Sequence, residues 1–137
     1  MSALVVSPKR RRVALYLAIR ARNLTGLDTR AFLGDLLHHL RGPVVLLWDR
    51  GTIHVRKEVT HYIAHHPRLQ VEFFPAYAPE LNPAEFVWNQ TDRSLLNAAP
   101  EDIPELYGML RNSVRKLRRS PKHLRSCIYA SDLPWSR

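Results

Sequence analysis

The sequence predicts an α/β domain in which parallel strands are joined by helices. Three observations lead to this fold class. The run PVVLLWD, residues 43–49, is apolar without alternation, which is typical of a strand buried on both faces of a parallel sheet. Strand and helix patterns alternate from residue 29 to residue 96. The length of 137 residues suits one domain with a usable core.

Each predicted element has a local signal. The turn SPKRRR is short enough to join two strands into an antiparallel hairpin. Asp28 is expected to N-cap the first helix, and Gly42 to follow its end. Val45 and Leu47 are expected to be buried, as are Trp48 and Phe73. The predicted elements are strands over 3–7 and 13–21, a helix over 29–40, a strand over 43–49, a helix over 56–65, a strand over 69–73, and helices over 82–96 and 101–119.

Positive charge is concentrated near both ends of the chain. The net charge is +9, no acidic residue precedes Asp28, and none lies between Leu106 and Ser131. Segregated arginines fit phosphate oxygens, so we expect a nucleic-acid partner, with a merely solvated surface as the alternative. The expected nucleic-acid-binding residues are Arg10, Arg11, Arg12, Arg50, Arg56, Lys57, Arg115, Arg118 and Arg119.

Cysteine content and hydropathy indicate a cellular compartment. Cys127 is the single cysteine, which allows no internal disulfide and no cysteine-based metal site. No apolar run reaches the roughly 18 residues that span a bilayer, and the N-terminal charges follow the apolar run instead of preceding it as in a secretory signal. We therefore expect a cytoplasmic protein without a membrane partner.

The stretch PAYAPELNPAEFVW, residues 75–88, contains two glutamates with different expected roles. Asn82 suits an N-cap and Pro83 the first helical position, so Glu85 falls third, where it can complete a capping box or present an ionised carboxylate at a surface. Glu80 lies in the preceding loop and is expected to be a solvated turn residue. Tyr77 is expected to pack over the helix start, with stacking on a flipped base as the alternative.

Asp49 is the candidate partner of these glutamates. Ligands of parallel sheets gather beyond the carboxyl ends of the strands, and Asp49 ends the apolar run. One helix and one strand separate it from Glu85, so the two carboxylates are expected to be neighbours. They would repel one another unless a cation lay between them, and Mg²⁺ binds through one or two carboxylates while keeping sites for water and phosphate.

The segments VVLLWDRGTIH and VEFFPAYAPELNPAEFVW closely resemble the catalytic domain of DDE transposases. In particular they resemble the bacterial insertion sequence 630 family of the mariner superfamily, which has an RNase H-like fold. The resemblance makes Asp49 the second acidic ligand, His54 the histidine that accompanies it, and Glu85 the third acidic ligand. It implies two Mg²⁺ or Mn²⁺ ions, cleavage of DNA at transposon ends, and transfer of the freed strand to target DNA. His54 would orient a phosphate or a ligand, with capping of the following helix as the alternative.

The resemblance is incomplete at its N-terminal side. The first aspartate of the family lies on a strand before the hairpin, and this chain has no acidic residue there. We therefore expect residues 1–99 to form a partial RNase H-like domain that lacks its first strand, and residues 100–137 to form its C-terminal basic helix and tail.

A transposase part of this kind is expected to be inactive alone. It is expected to be homodimeric when complete, and nucleoid-associated in a bacterial cytoplasm. The alternative is a non-catalytic DNA-binding regulator or relic derived from a transposase. A metal-dependent nuclease unrelated to transposition would need a further acidic ligand.

Overall fold

The protein has a mixed α/β fold with small sheets flanked by helices. The structure is a computed structural model that describes residues 1–134. Strand β1 pairs with β2, and β3 pairs with β4. The strands are β1 (Ser2–Ser7), β2 (Arg12–Leu17), β3 (Val44–Trp48) and β4 (Leu69–Phe73); the helices are α1 (Gly26–His39), α2 (Lys57–Ala64), α3 (Pro83–Leu95), α4 (Ile103–Arg118) and α5 (Pro121–Ala130).

The chain divides into two compact units. The first unit comprises Met1 and Leu17–Ala78, and therefore holds α1, β3, α2 and β4. The second unit comprises Ser2–Tyr16 and the chain from Pro79 onward, and holds most of the hairpin together with α3, α4 and α5. Of the helices within residues 1–134, none has the length and apolar character that crossing a membrane requires.

The central pair of the first unit is parallel, as predicted. Val44 lies opposite Leu69 and Trp48 opposite Phe73. The prediction that β3 is buried on both faces is wrong, because Val45 is 58% exposed. Leu47 on the same face is 45% exposed. Within this unit β3 therefore has one covered face and one open face.

Helix α1 begins three residues earlier than the sequence indicated. Thr25 is the N-cap, and Asp28 is the third helical residue of a capping box, accepting a hydrogen bond from the Thr25 N–H at 2.8 Å. The predicted cap at Asp28 is therefore wrong. Asp28 also accepts two hydrogen bonds from Arg22, at 2.7 and 2.9 Å, and these bonds together with those from Thr25 hold the pKa of Asp28 well below its usual value.

The end of α1 is bound by a distant arginine. The Arg68 guanidinium donates to the carbonyl oxygens of Leu37 and Leu40, which the helix end leaves without intrahelical partners, and to that of Gly42 in the following turn. A cation at this position also complements the negative end of the helix dipole. Arg68 therefore fastens the segment before β4 to the turn before β3. The buried residues of α1 include Phe32, Leu33, Leu36 and Leu37.

The core of the second unit forms where α3, α4 and α5 contact one another. Helix α5 lies in what the sequence suggested was a basic tail, although Ser120 followed by Pro121 is a recognisable helix start. Leu106, in the first turn of α4, is 41% exposed. The buried side chains of these helices include Val87, Thr91, Val114, Leu117, Leu124, Cys127 and Ile128.

Candidate metal centre and nucleic-acid interface

Asp49 lies immediately beyond the carboxyl end of β3, and its carboxylate is held by two donors. Its Oδ1 atom accepts a hydrogen bond from the Gly51 N–H at 2.8 Å and lies 2.9 Å from His54 Nδ1. The side chain is 57% exposed. Within its own unit, no described residue donates a hydrogen bond to the Oδ2 atom. One oxygen is thus fixed by the protein, while the other is available to a cation.

His54 contacts Asp49 through a ring nitrogen whose role follows from its partners. Nδ1 lies 2.9 Å from the Asp49 carboxylate and 3.1 Å from the Asp49 backbone oxygen. Both partners only accept hydrogen bonds, so Nδ1 carries the hydrogen, and Nε2 presents a lone pair when the ring is neutral. The ring stacks on Trp48 at 4.3 Å between centroids and 6° between planes. Helix α2 has Arg56 as its N-cap, so His54 does not cap it.

Gly51 is a residue of the candidate site that the sequence reasoning missed. A Cβ atom added at this position would lie 2.9 Å from Asp49 Oδ1 and 3.5 Å from His54 Nδ1. A side chain would therefore force the carboxylate away from the Gly51 N–H. The signal was available in the sequence, because a glycine two residues after a strand-ending aspartate permits a close approach of the backbone.

An arginine and an aromatic ring lie next to Asp49 at the same end of the sheet. The Arg50 guanidinium lies 5.3 Å from the centroid of Phe73, within the range of a cation–π contact. Phe73 is 39% exposed, so its predicted place in the core is wrong. Trp48 is buried as predicted, but its Nε1 has no hydrogen-bond partner within the described residues.

Glu85 lies in the first turn of α3, in the second unit. Asn82 is the N-cap, and its side chain accepts from the Ala84 N–H at 3.1 Å. The Asn82 N–H donates to the carbonyl of Pro79 at 3.0 Å. A capping box would need that N–H to be bound by the Glu85 carboxylate instead. Glu85 is exposed and its carboxylate is thus not used to close the helix start.

The loop before α3 contains the two remaining residues that the sequence singled out. Glu80 lies in a 3₁₀ turn over Pro79–Leu81 and is exposed. Tyr77 is fully exposed, at 101%. The start of α3 belongs to the other unit, so the expectation that Tyr77 packs over it stays a prediction. The Tyr77 φ of 58° lies in the left-handed region, which is uncommon for a residue other than glycine.

The expected nucleic-acid-binding side chains are all exposed, and none forms an ion pair within residues 1–134. Arg50, Arg56 and Lys57 belong to the first unit and the other six to the second. Arg125, which the sequence reasoning left out, donates to the Arg11 carbonyl at 2.9 Å and joins the hairpin turn to α5. Two basic segments far apart in the sequence are therefore held side by side.

Asp49, Gly51 and His54 are thus brought together in the first unit, whereas Glu85 belongs to the second. The convergence of Asp49 with Glu85 stays a prediction. Over residues 1–134, no group of three or more histidine, cysteine, aspartate or glutamate side chains is arranged to hold a metal ion.

Comparison with known proteins identifies the family. A family model described as the DDE superfamily endonuclease matches residues 3–107. The fold is similar to the crystal structure of the catalytic domain of Mos1 mariner transposase, with a TM-score of 0.56 and 14% sequence identity over 87% of this chain and 68% of that chain. No curated protein sequence matches significantly. Since the family model spans more than half of its residues, the chain belongs to the DDE superfamily of endonucleases.

Proposed function

We propose that this chain is the C-terminal part of a DDE transposase, acting in metal-dependent cleavage and transfer of DNA strands. The observation that carries the proposal is the arrangement at Asp49. A carboxylate at the carboxyl end of a parallel strand has one oxygen fixed by Gly51 and His54 and the other available. The family and the similarity in fold to a transposase catalytic domain support the same activity.

The residues present fit divalent metal ions, which endonucleases of the DDE superfamily generally use. Asp49 offers a free Oδ2, and Glu85 offers a carboxylate that α3 does not need for its cap. Both are hard oxygen donors of the kind that Mg²⁺ and Mn²⁺ prefer. We assign Asp49 and Glu85 as metal ligands of a site for two ions. When bound, the ions supply an activated water and stabilise the charge that develops on the leaving oxygen.

His54 acts on Asp49 in this scheme. By donating its Nδ1–H to the carboxylate, the ring limits rotation of the Asp49 side chain and keeps Oδ2 in one orientation. The Trp48 ring in turn fixes the imidazole plane by stacking. His54 is thus a positioning residue, and in its imidazolium form the Nε2–H can donate a hydrogen bond to a phosphate oxygen of the DNA.

We further propose that the first acidic ligand lies on a strand outside residues 1–137, next to β3. Strand β3 has one strand neighbour within the described residues, and the exposed Val45 and Leu47 leave an apolar face open in its unit. The buried Trp48 Nε1 lacks a hydrogen-bond partner among residues 1–134. An added strand would pair with the free edge and cover apolar surface. Without that strand and its aspartate, the chain alone is inactive as a nuclease.

DNA is the proposed substrate, in the form of transposon ends and target. The exposed arginines that lack ion pairs, on both units, are suited to phosphate contacts. In the complete enzyme we propose the homodimer and the insertion sequence 630 branch that the sequence motifs imply. The assignment of residues 1–99 and 100–137 to one catalytic domain belongs to the same proposal.

The test begins with the reading frames immediately upstream of the Met1 codon. We expect one of them to encode an apolar strand ending in aspartate, whose fusion to this chain nicks DNA with Mg²⁺. Asp49→Asn or Glu85→Gln should abolish nicking by the fusion, whereas Glu80→Gln, a matched change five residues away, should not. Nicking by the 137-residue chain alone, or by the Asp49→Asn fusion, would refute the proposal.

A non-catalytic DNA-binding regulator is the second candidate, favoured by the unneutralised arginines joined through Arg125 and Arg11. It predicts that no fusion to an upstream segment restores nicking. It also predicts that the chain, in EDTA, competes with an intact transposase for DNA, with the same affinity in Asp49→Ala.

A further inference from the structure

We propose that Tyr77 is a stacking platform for an unpaired base of the DNA strand that this enzyme handles. The inference rests on the proposed function in that it takes DNA as the partner. It adds a base-contacting residue to a site whose other residues act on phosphates and metal ions. Four features of the first unit carry it: exposure, backbone conformation, neighbouring groups and charge.

The Tyr77 side chain does not pack against the other residues of its unit. It is fully exposed, and the Asn82 cap at the start of α3 is made by other groups. A large aromatic ring left entirely in water gains no stability from burial. The residue is therefore placed for contact with something outside its unit.

The backbone holds this ring in an unfavourable conformation. Tyr77 has a φ of 58°, and a side chain in the left-handed region brings Cβ close to the following carbonyl oxygen. Glycine or asparagine would adopt this conformation more readily. Pro75 and Pro79 lie two residues away on either side and stiffen the loop. Strain of this kind at an exposed aromatic residue is characteristic of a ligand contact.

The neighbouring groups at the end of the sheet suit a nucleotide. Tyr77 is four residues beyond Phe73, the last residue of β4, so it lies at most about 14 Å from it. Phe73 is partly exposed and has the Arg50 guanidinium against its ring. Asp49, the proposed metal ligand, directly precedes Arg50. The rings of Phe73 and Tyr77 therefore lie within a few nucleotides of Asp49 along a bound DNA strand.

The charge around this end favours nucleic acid over a protein partner. Arg50, Arg56 and Lys57 are exposed and form no ion pair in the same unit. Their charges attract a phosphodiester chain and gain nothing from an apolar or basic protein surface. A basic surface with interspersed aromatic rings is the arrangement that binds single strands. Bases inside a duplex have both faces covered, so the occupant is an unpaired base.

The test measures binding of the 137-residue chain, in EDTA, to a single-stranded oligonucleotide containing 2-aminopurine and to its duplex. We expect quenching of 2-aminopurine by the wild type. Tyr77→Asn, which keeps the left-handed backbone and removes the ring, should weaken single-strand binding about five- to 100-fold and duplex binding less than about twofold. Tyr77→Trp should retain both affinity and quenching. Tyr129→Ala is the control for removal of an exposed tyrosine elsewhere.

Thermal unfolding separates a ligand contact from a structural role. If Tyr77 serves the ligand, Tyr77→Asn should unfold at the wild-type temperature or above it, because asparagine relieves the strain. Equal single-strand affinities of Tyr77→Asn and Tyr77→Trp would overturn the proposal. So would a change in oligomeric state in Tyr77→Asn without any change in quenching, since that outcome identifies a protein contact. Because EDTA removes metal chemistry, a failure of the proposed nuclease activity would leave this result unaffected.

Discussion

The assignment of Glu85 as a functional carboxylate can be tested by stability measurements on two residues of one helix turn. Asn82→Ala removes the acceptor of the Ala84 N–H, a bond of 3.1 Å in the structure. Loss of such a cap lowers the free energy of unfolding by about 1 kcal/mol. For a chain of this length, that corresponds to a fall in Tm of about 3–5 °C.

Glu85→Gln should cost much less. The Asn82 N–H is already bound by the Pro79 carbonyl, so the glutamate contributes only its interaction with the helix dipole. For an exposed carboxylate this is about 0.3–0.5 kcal/mol, a fall in Tm of no more than about 2 °C. The two effects should add in the double variant, because the two side chains share no hydrogen bond.

Urea unfolding followed by circular dichroism, with Tm from calorimetry, measures both variants and the double variant. If Glu85→Gln destabilised the chain as much as Asn82→Ala, and the double variant were no worse than either, the two side chains would form a capping box. The glutamate would then have a structural explanation, and its assignment as a metal ligand would lose its main support.

Three further predictions concern the scaffold of the first unit, with Gly108 in α4 of the second unit as a comparison. Arg68→Ala should lower the free energy of unfolding by about 2–3 kcal/mol in urea, since one guanidinium binds three carbonyls at the end of α1, and Arg68→Lys should recover part of the loss. Gly26→Ala should destabilise by about 1–3 kcal/mol, because its Cβ would lie 2.8 Å from Arg56 Cβ, whereas Gly108→Ala, with open space around it, should stabilise by about 0.5–1 kcal/mol. The pKa of Asp28 is lowered on folding, so the contribution of Asp28 to the free energy of unfolding is complete above pH 3.8, its unfolded pKa, and declines as the pH falls below that value. The free energy of unfolding of Asp28→Asn should therefore fall less steeply in acid than that of the wild type. An unchanged pH profile would contradict this.

Sequence patterns of short range predicted most of the elements. The apolar run that became β3 and the alternation that became β4 predicted a parallel pair, and the pairing of Val44 with Leu69 agrees. Asn82 followed by Pro83 predicted the start of α3 to the residue. These signals succeed because a cap, a turn or a strand depends on residues within about four positions of one another. Asp28 was misassigned because Thr25, three residues earlier, competes for the same role.

Burial was predicted less well than element type. Val45, Leu47 and Phe73 are apolar and were expected inside, yet each is exposed within its unit. Whether an apolar side chain is covered depends on which elements pack against its face. The residue type alone does not specify which elements those are. The open face of β3 and the exposed ring of Tyr77 therefore emerged only in three dimensions.

The sequence by itself determined the residue types of the candidate site: a carboxylate at a strand end, a histidine five residues later, and a glutamate in the first turn of a helix. Only the tertiary structure decided which Asp49 oxygen is fixed, because that depends on the fold of the Gly51 turn and on the stacking of His54 against Trp48. It also decided that Arg125 binds the carbonyl of Arg11, 114 residues away. Contacts across such separations arise from packing of whole elements, which no local pattern of residues specifies.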